Sequence, residues 1–553
     1  MELYRAFSKS SLWELQHQYF YEKGVEAWRS GDVPHYLTNN PRMANCYAEI
    51  IIACWQDQQS EALFADGDPL FICELGAGSG RFAFHFLKRL TVLCQKYGLS
   101  TNSFCYILTD FTPKNLEYWH HHPNFQPYFE SGLLDMALFD ANSTAHIDLQ
   151  IRGKKIAPKS LTRPLVVIAN YLFDSIPQEL FYFEKGQCFQ CNVLLNSKEY
   201  LQTYNEATLL DHIMHCSYKH EETQKPLFSE PYLQQLVNEY QQTLSGSYLL
   251  FPTNGLRCLQ RLRLLSKCGV LFLTADKGNQ LLEDVQTLEP PGPVVHGGAI
   301  SLSVNFHAIK VFCENEGGLA LFSPQQYHHI NLGCLLFLED PKSYLNTQYA
   351  YQHHVVEFGP DEFYNISKHA RQNIAAMTVH NILAYLRLSF FDAHLFACYL
   401  PRLLEMAPEV NRHERLAVRD AIHKAWSLYF PIGEPSDLAF GLARLLLQLD
   451  FFEDALEYFE YSILLYGENS NTFENMAACY YLIGEEEQAQ IYLQKAGQNS
   501  PEDRQDEAIL GIEHPKITRN LTQTNRATIT LDKTAVFSAN PFLVLRPDGY
   551  QDH

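Results

Sequence analysis

No unbroken apolar run of about 18 residues occurs anywhere in the 553-residue chain, so a membrane-spanning helix is not expected. Residues Met1 to Trp13 likewise lack the continuous apolar stretch of a secretion signal. Positive charge is short. The 42 Lys and Arg stand against 63 Asp and Glu, a net charge of −21, which argues against general binding to nucleic acid phosphate or to an anionic membrane. Cysteine is present, 14 in all, but Cys188 and Cys191 form the only C-x-x-C, with no second pair at zinc spacing, so neither a metal centre nor a disulfide framework is expected. What remains is a cytoplasmic protein with reduced core thiols. Its 46% hydrophobic and 19% charged residues suit a globular chain of more than one domain, and nothing in the sequence fixes its oligomeric state.

The most informative segment is Phe71-Ile72-Cys73-Glu74-Leu75-Gly76-Ala77-Gly78-Ser79-Gly80, followed by the amphipathic stretch Arg81 to Leu90. It reads as strand, tight turn and helix. Glycines suit such a turn because they permit positive φ and a close approach of backbone to ligand, while the helix start offers unpaired N–H groups. A second strand, Phe104 to Thr109, ends at Asp110 and Phe111 before a helix start at Thr112-Pro113. A carboxylate there can accept both hydroxyls of a ribose, and it can equally cap the helix. A third strand, Leu133 to Phe139, ends at Asp140, placed to face an adenine or simply to sit in an exposed turn.

Further strands are expected at Pro164–Ala169, Gly269–Ala275, Ala299–Val304 and Leu332–Leu338, with a hairpin over Phe181–Leu195 and a basic amphipathic helix over Gly255–Lys267. Strands alternating with helices imply an α/β fold, a doubly wound, mainly parallel sheet. Residues 1–62 form an N-terminal helical cap with a lid loop, Val33 to Asn40; residues 63–345 form the α/β domain, with a polar insertion near 196–247. From Pro360 the pattern is helical over 360–500, and a 34-residue spacing aligns Leu446 with Tyr480, Ala455 with Ala489 and Phe459 with Leu493. That is the tetratricopeptide spacing, which implies a surface for a protein partner, and an ordinary helical bundle is the alternative. The tail 515–553 carries no signal.

The spacing E-x-G-x-G-x-G resembles the first motif of class I S-adenosylmethionine (SAM) methyltransferases. Several segments in order resemble one branch of that class, the MidA family, to which the mitochondrial complex I assembly methyltransferase also belongs. Its G-D-F-x-T-S-P-E pattern is similar to Gly31-Asp32, Thr38 and Pro41, and its E-x-G-P-G-x-G turn to Glu74–Gly80, with Ala77 for proline. Its N-E-F-F-D-A-L-P is similar to Asn170–Pro177, its D-Y-G to Asp276-Lys277-Gly278, and its D-I-T-x-x-V-D-F to Ala299–Phe306.

The resemblance implies a Rossmann-like fold, SAM as cofactor and methylation of a protein side chain, arginine in the mitochondrial case. It also implies cofactor binding by Thr38, Glu74, Gly76, Ala77, Gly78, Gly80, Asp110, Phe111, Asp140 and Asn170. Two family carboxylates are missing, replaced by Tyr171 and Asn305, which weakens the case for a guanidinium acceptor. Asp174 and Glu179 could compensate. Asn170, Tyr171, Asp174, Asn305 and His307, with His296, are the candidates for holding the acceptor or taking its proton. A second reading is a non-catalytic assembly protein built on a degenerate methyltransferase fold.

Overall fold

The computed structural model describes residues 4–31, 33–60, 69–194, 217–223, 226–324, 329–498, 517–520 and 528–531. The described residues divide into two compact units, the first running to Ile366 and the second beginning at Ser367.

The first unit is built on seven strands: β1 (Leu70–Leu75), β2 (Phe104–Asp110), β3 (Leu134–Leu138), β4 (Leu165–Asn170), β5 (Gly269–Asp276), β6 (Leu319–Phe322) and β7 (Asn331–Leu338). They lie side by side in the order β6-β7-β5-β4-β1-β2-β3. β3, β2, β1, β4 and β5 run parallel, and β7 is antiparallel to both of its neighbours. The parallel strands read as near-continuous apolar runs because helices cover both faces, and every residue of β1 and β2 is buried. From β1 the chain winds outward through β2 and β3, then returns to the other side of β1 as β4. The order therefore reverses between β1 and β4, where a crevice opens at the carboxyl ends of the strands.

Helices follow the apolar periodicity. α1 (Ser11–Lys23), α2 (Pro41–Ser60), α3 (Arg81–Tyr97), α4 (Pro113–His121), α5 (Thr253–Arg263) and α6 (Phe306–Asn315) belong to this unit. The continuous helix expected from Ser10 to Trp28 is divided at Gly24, whose φ of 54° ends α1 before a short turn at Glu26–Arg29. A second, antiparallel sheet joins Arg5–Ala6, Glu179–Glu184, Gln187–Leu194, Ser217–Glu222 and Ser247–Phe251. Part of the expected insertion thus supplies strands. Pro231–Thr243 within it forms a helix, while 196–216 and 224–225 lie outside the described residues, as do 195, Asp32 and most of the tail.

One expected strand is corrected. Ala299–Val304 is no member of the central sheet: Ala299–Ser301 folds back on Val294–His296 across Gly297-Gly298, and Val304–Asn305 pairs with Gly278–Asn279. A two-glycine turn between short apolar runs makes a hairpin, which the apolar count alone hides.

In the second unit Val379–Leu388, Ala393–Met406 and Arg412–Ser427 precede two helical hairpins, Leu438–Gln448 with Phe452–Tyr466 and Ser470–Ile483 with Glu486–Gln498. Phe452 and Glu486 start equivalent helices 34 positions apart. No helix among the described residues is long and apolar enough to cross a membrane.

Candidate functional site

Gly76, Gly78 and Gly80 all take left-handed backbone, with φ of 62°, 55° and 79°. The alternation carries the chain from β1 into α3 in a turn that L side chains resist. A Cβ on Gly78 would lie 2.7 Å from the Trp28 indole, and one on Gly80 would lie 3.0 Å from the Phe125 ring. The turn borders a cavity of about 1350 Å³ at the carboxyl ends of β1, β2, β3 and β4. That exceeds the roughly 300–1,000 Å³ of a pocket for one small ligand.

Of the residues singled out from sequence, Thr38, Glu74, Gly76, Ala77, Gly78, Asp110, Phe111, Asp140, Asn170, Tyr171, Asp174 and His296 line this cavity. Gly80 does not; it packs between Trp119 and Phe125. Asn305 and His307 lie apart from the lining. The Asn305 side chain caps α6 by accepting from Ala308 N at 2.9 Å and donating to Leu250 O at 2.9 Å, and His307 Nδ1 sits 2.8 Å from the Tyr240 hydroxyl. Both belong to the packing of α6. Glu179 is likewise outside the lining, and its carboxylate accepts from Ser8 Oγ and Gln190 Nε2, two residues that do line it.

Local folding explains each placement. Asp110 closes β2, where its carboxylate accepts from Gly78 N at 3.3 Å, Thr112 N at 3.0 Å and Asn115 Nδ2 at 2.9 Å. One acid therefore ties the glycine turn to the start of α4, as the cap reading requires. Three donors leave room for another, since a carboxylate offers about four acceptor positions. The Asp140 carboxylate accepts from Asn142 N and Ser143 Oγ, each at 2.8 Å, in the turn after β3. Asn170 Oδ1 accepts from the Tyr47 hydroxyl at 2.9 Å, while its Nδ2 is buried with no hydrogen-bond partner among the described residues. Tyr171 follows with φ of 49°, a strained value for a bulky residue. Glu74 accepts from the Tyr106 hydroxyl at 2.8 Å, and burial raises its carboxyl to about 8. Burial also lowers the His296 imidazole to about 4.

The loop expected as a lid contributes Val33, Pro34, His35, Thr38 and Asn39 to the lining. Asn39 Nδ2 reaches Ser79 Oγ at 3.5 Å, and Asn40 fastens the loop end to α2 through Met43 N. Sequence reasoning missed Gln16, which donates to Ser175 O at 2.9 Å and accepts from Ile300 N at 2.6 Å. It also missed the contribution of Ser8, Lys9, Trp13 and His17, and of Gln190 and Asn192 from the second sheet. An isolated Gln on an amphipathic helix carries no signal of its own. Among the described residues no cluster of His, Cys, Asp and Glu is arranged to hold a metal ion.

No family model matches the chain. No curated protein matches it either. Among solved structures it is similar to a COG1565 superfamily member from Burkholderia thailandensis bound to S-adenosyl-homocysteine, at 10% identity over 62% of this chain and 90% of that one, TM-score 0.40. It is also similar to the CurJ carbon methyltransferase, at 12% identity over 53% of this chain and 54% of that one, TM-score 0.25. Scores this low leave the functional reading to the cavity.

Proposed function

We propose that the first unit is a SAM-dependent methyltransferase acting on a nitrogen of a protein side chain, with the helical hairpins of the second unit, read as tetratricopeptide-like, recognising the protein. One observation carries the reading. Three left-handed glycines stand at the end of β1, beside the point where the strand order reverses, on a cavity with room for more than one ligand.

The residues present fit the cofactor. Asn170 Nδ2 is a buried donor without a partner, Asp110 retains acceptor capacity, and the space above Gly78 closes to any residue with a Cβ. Asp110 would hold ribose hydroxyls and Gly76–Gly78 the amino-acid end, with Thr38 nearby, while Phe111 and Asp140 flank the base. SAM supplies a methyl group made electrophilic by its sulfonium. The chain's task is then to align the acceptor with that methyl and to exclude water, which α1 and the loop 33–40 are placed to do. Asn305 caps α6, so the family aspartate it replaces is not a carboxylate missing from the cavity.

Isothermal titration tests the cofactor: SAM and its demethylated product should both bind, and Gly78→Arg should abolish both signals. Unchanged affinity in that variant would remove the site assigned here. Labelled SAM added to lysate should mark a discrete protein band; no incorporation at all would favour the non-catalytic reading.

A further inference from the structure

The carboxyl ends of β4 and β5 bring two acids together. Asp276, the last residue of β5, is fully buried, and its Oδ2 accepts from Leu172 N at 3.3 Å and Phe173 N at 3.1 Å. Its Oδ1 is buried with no donor among the described groups. Asp174, on the loop after β4, lines the cavity and accepts from Ser175 Oγ at 2.7 Å, and its carboxyl faces that of Asp276 within hydrogen-bonding reach. Two negative charges cannot persist side by side in a dry site. A buried carboxyl oxygen left without a donor, on an acid that neighbours a second carboxyl, is the natural place for the proton.

We propose, resting on the methyltransferase reading, that Asp276 is a neutral acid whose Oδ1–H donates to the Asp174 carboxylate, and that Asp174, so held, takes the proton the acceptor loses on methylation. In that step the acceptor's N–H bond breaks, its electron pair forms the new bond to carbon, and the proton adds to an Asp174 oxygen. The electron pair of the cleaved carbon–sulfur bond stays on sulfur. The acid pair passes from one negative charge to none, and the Asp276 proton does not move. Asp276 is thus a positioning residue that also fixes the turn carrying Tyr171, through Leu172 and Phe173.

The electrostatics agree. Burial, and then the facing Asp174, push the Asp276 carboxyl well above the carboxylate range. Burial raises Asp174 above the usual carboxylate range, while hydrogen bonds from Ser175 and Asp276 and the Lys277 ammonium hold it down. A carboxylate so raised is a better proton acceptor than a solvated one. The other titratable groups facing the pair are Tyr47 of α2, near Asp276, and His296, near Lys277.

The full-length chain tests this through its unfolding midpoint from about pH 4.5 to about 8. A carboxyl raised by folding destabilises the fold as it ionises, so wild type should lose stability as pH rises from the ordinary carboxylate range through the raised Asp174 transition. Asp174→Asn should remove the Asp174 share of that loss and leave the share that Glu74 contributes. Asp276→Asn can still donate to Asp174 and accept from Leu172 and Phe173, so it should leave the transition in place. Asp276→Ala removes the donor and should move the transition upward. A downward move of about one pH unit in Asp276→Asn would show a charged Asp276 and overturn the pairing, as would a pH dependence in Asp174→Asn identical to that of wild type. For the base role, Asp174→Asn should lose about 10²-fold or more in labelled methyl incorporation at saturating SAM; undiminished incorporation overturns it. If wild type fails to bind SAM, the methyltransferase reading and the base role fall together, while the pH series still decides the pairing.

Discussion

Glu74 shows how much of the site's chemistry rests on single buried groups. It closes β1 with its carboxyl turned against the Tyr106 hydroxyl, and burial lifts it to about 8, so near neutral pH it is largely an uncharged acid. The sign follows from the direction of the shift. A raised acid is harmless below its ordinary range, and stability is lost as pH rises toward and through about 8. Glu74→Gln keeps the shape and removes the titration. Melting curves of wild type and variant should therefore converge near pH 5 and separate by pH 8, with the variant the more stable at the upper end. Parallel curves across the range would mean that Glu74 is solvated. Gly78 acts by the opposite device, absence of a side chain: Gly78→Ala combines a left-handed φ, worth roughly 1–2 kcal/mol, with a contact on Trp28 that must shift. That variant should fold with lowered stability and bind SAM weakly by titration, whereas Gly153→Ala, whose Cβ meets nothing, should pay only the conformational cost and keep its affinity.

At the scale of elements, what was legible in the chain was whatever repeats a strong local pattern. β1, β2, β4, β5 and β7 read as apolar runs because both of their faces are covered, and the glycine turn read as a turn because three alternate glycines suit nothing else so well. The α/β class followed from their alternation with helices. Arg5–Ala6, Ser247–Phe251 and β6 were not legible, since strands of only two to five residues show too little periodicity and take their conformation from the neighbour they pair with. Asn305 and His307 show the converse error: polar residues at a helix start read as chemistry and prove to be a cap and a packing contact. Gln16 and Asp276 needed three dimensions, because what defines them is a partner remote in sequence. Strand pairing itself offers a sharp test at Gly269, where a Cβ would lie 1.9 Å from Phe337 O on the neighbouring β7 and where φ is 89°. Since backbone cannot yield as a side chain can, Gly269→Ala should lower the melting temperature far more than Gly153→Ala; equal shifts would contradict the pairing of β5 with β7.

For the whole molecule the excess of acid becomes an argument about ligand charge. The chain carries −21 overall, and the cavity follows suit: seven carboxyl residues, among them Glu14, Asp110, Asp140 and Glu221, line it against Arg5, Lys9 and Lys277. Even with Glu74 uncharged the balance at the site stays negative. SAM bears a sulfonium, and its demethylated product does not, so the two differ by one positive charge placed inside this field. Attraction between charges that retain contact with water is screened by salt over a Debye length of about 10 Å at 0.1 M. The affinity for SAM should then fall as ionic strength rises, while that for the product changes much less, and titrations of both ligands at low and moderate salt would measure the difference directly. Equal slopes would mean that the sulfonium sits beyond the reach of these carboxylates. Unequal slopes in the expected sense would show that the field of the site favours the methylated form and relaxes its hold once the methyl group has gone, so that charge loss at sulfur helps to release the product.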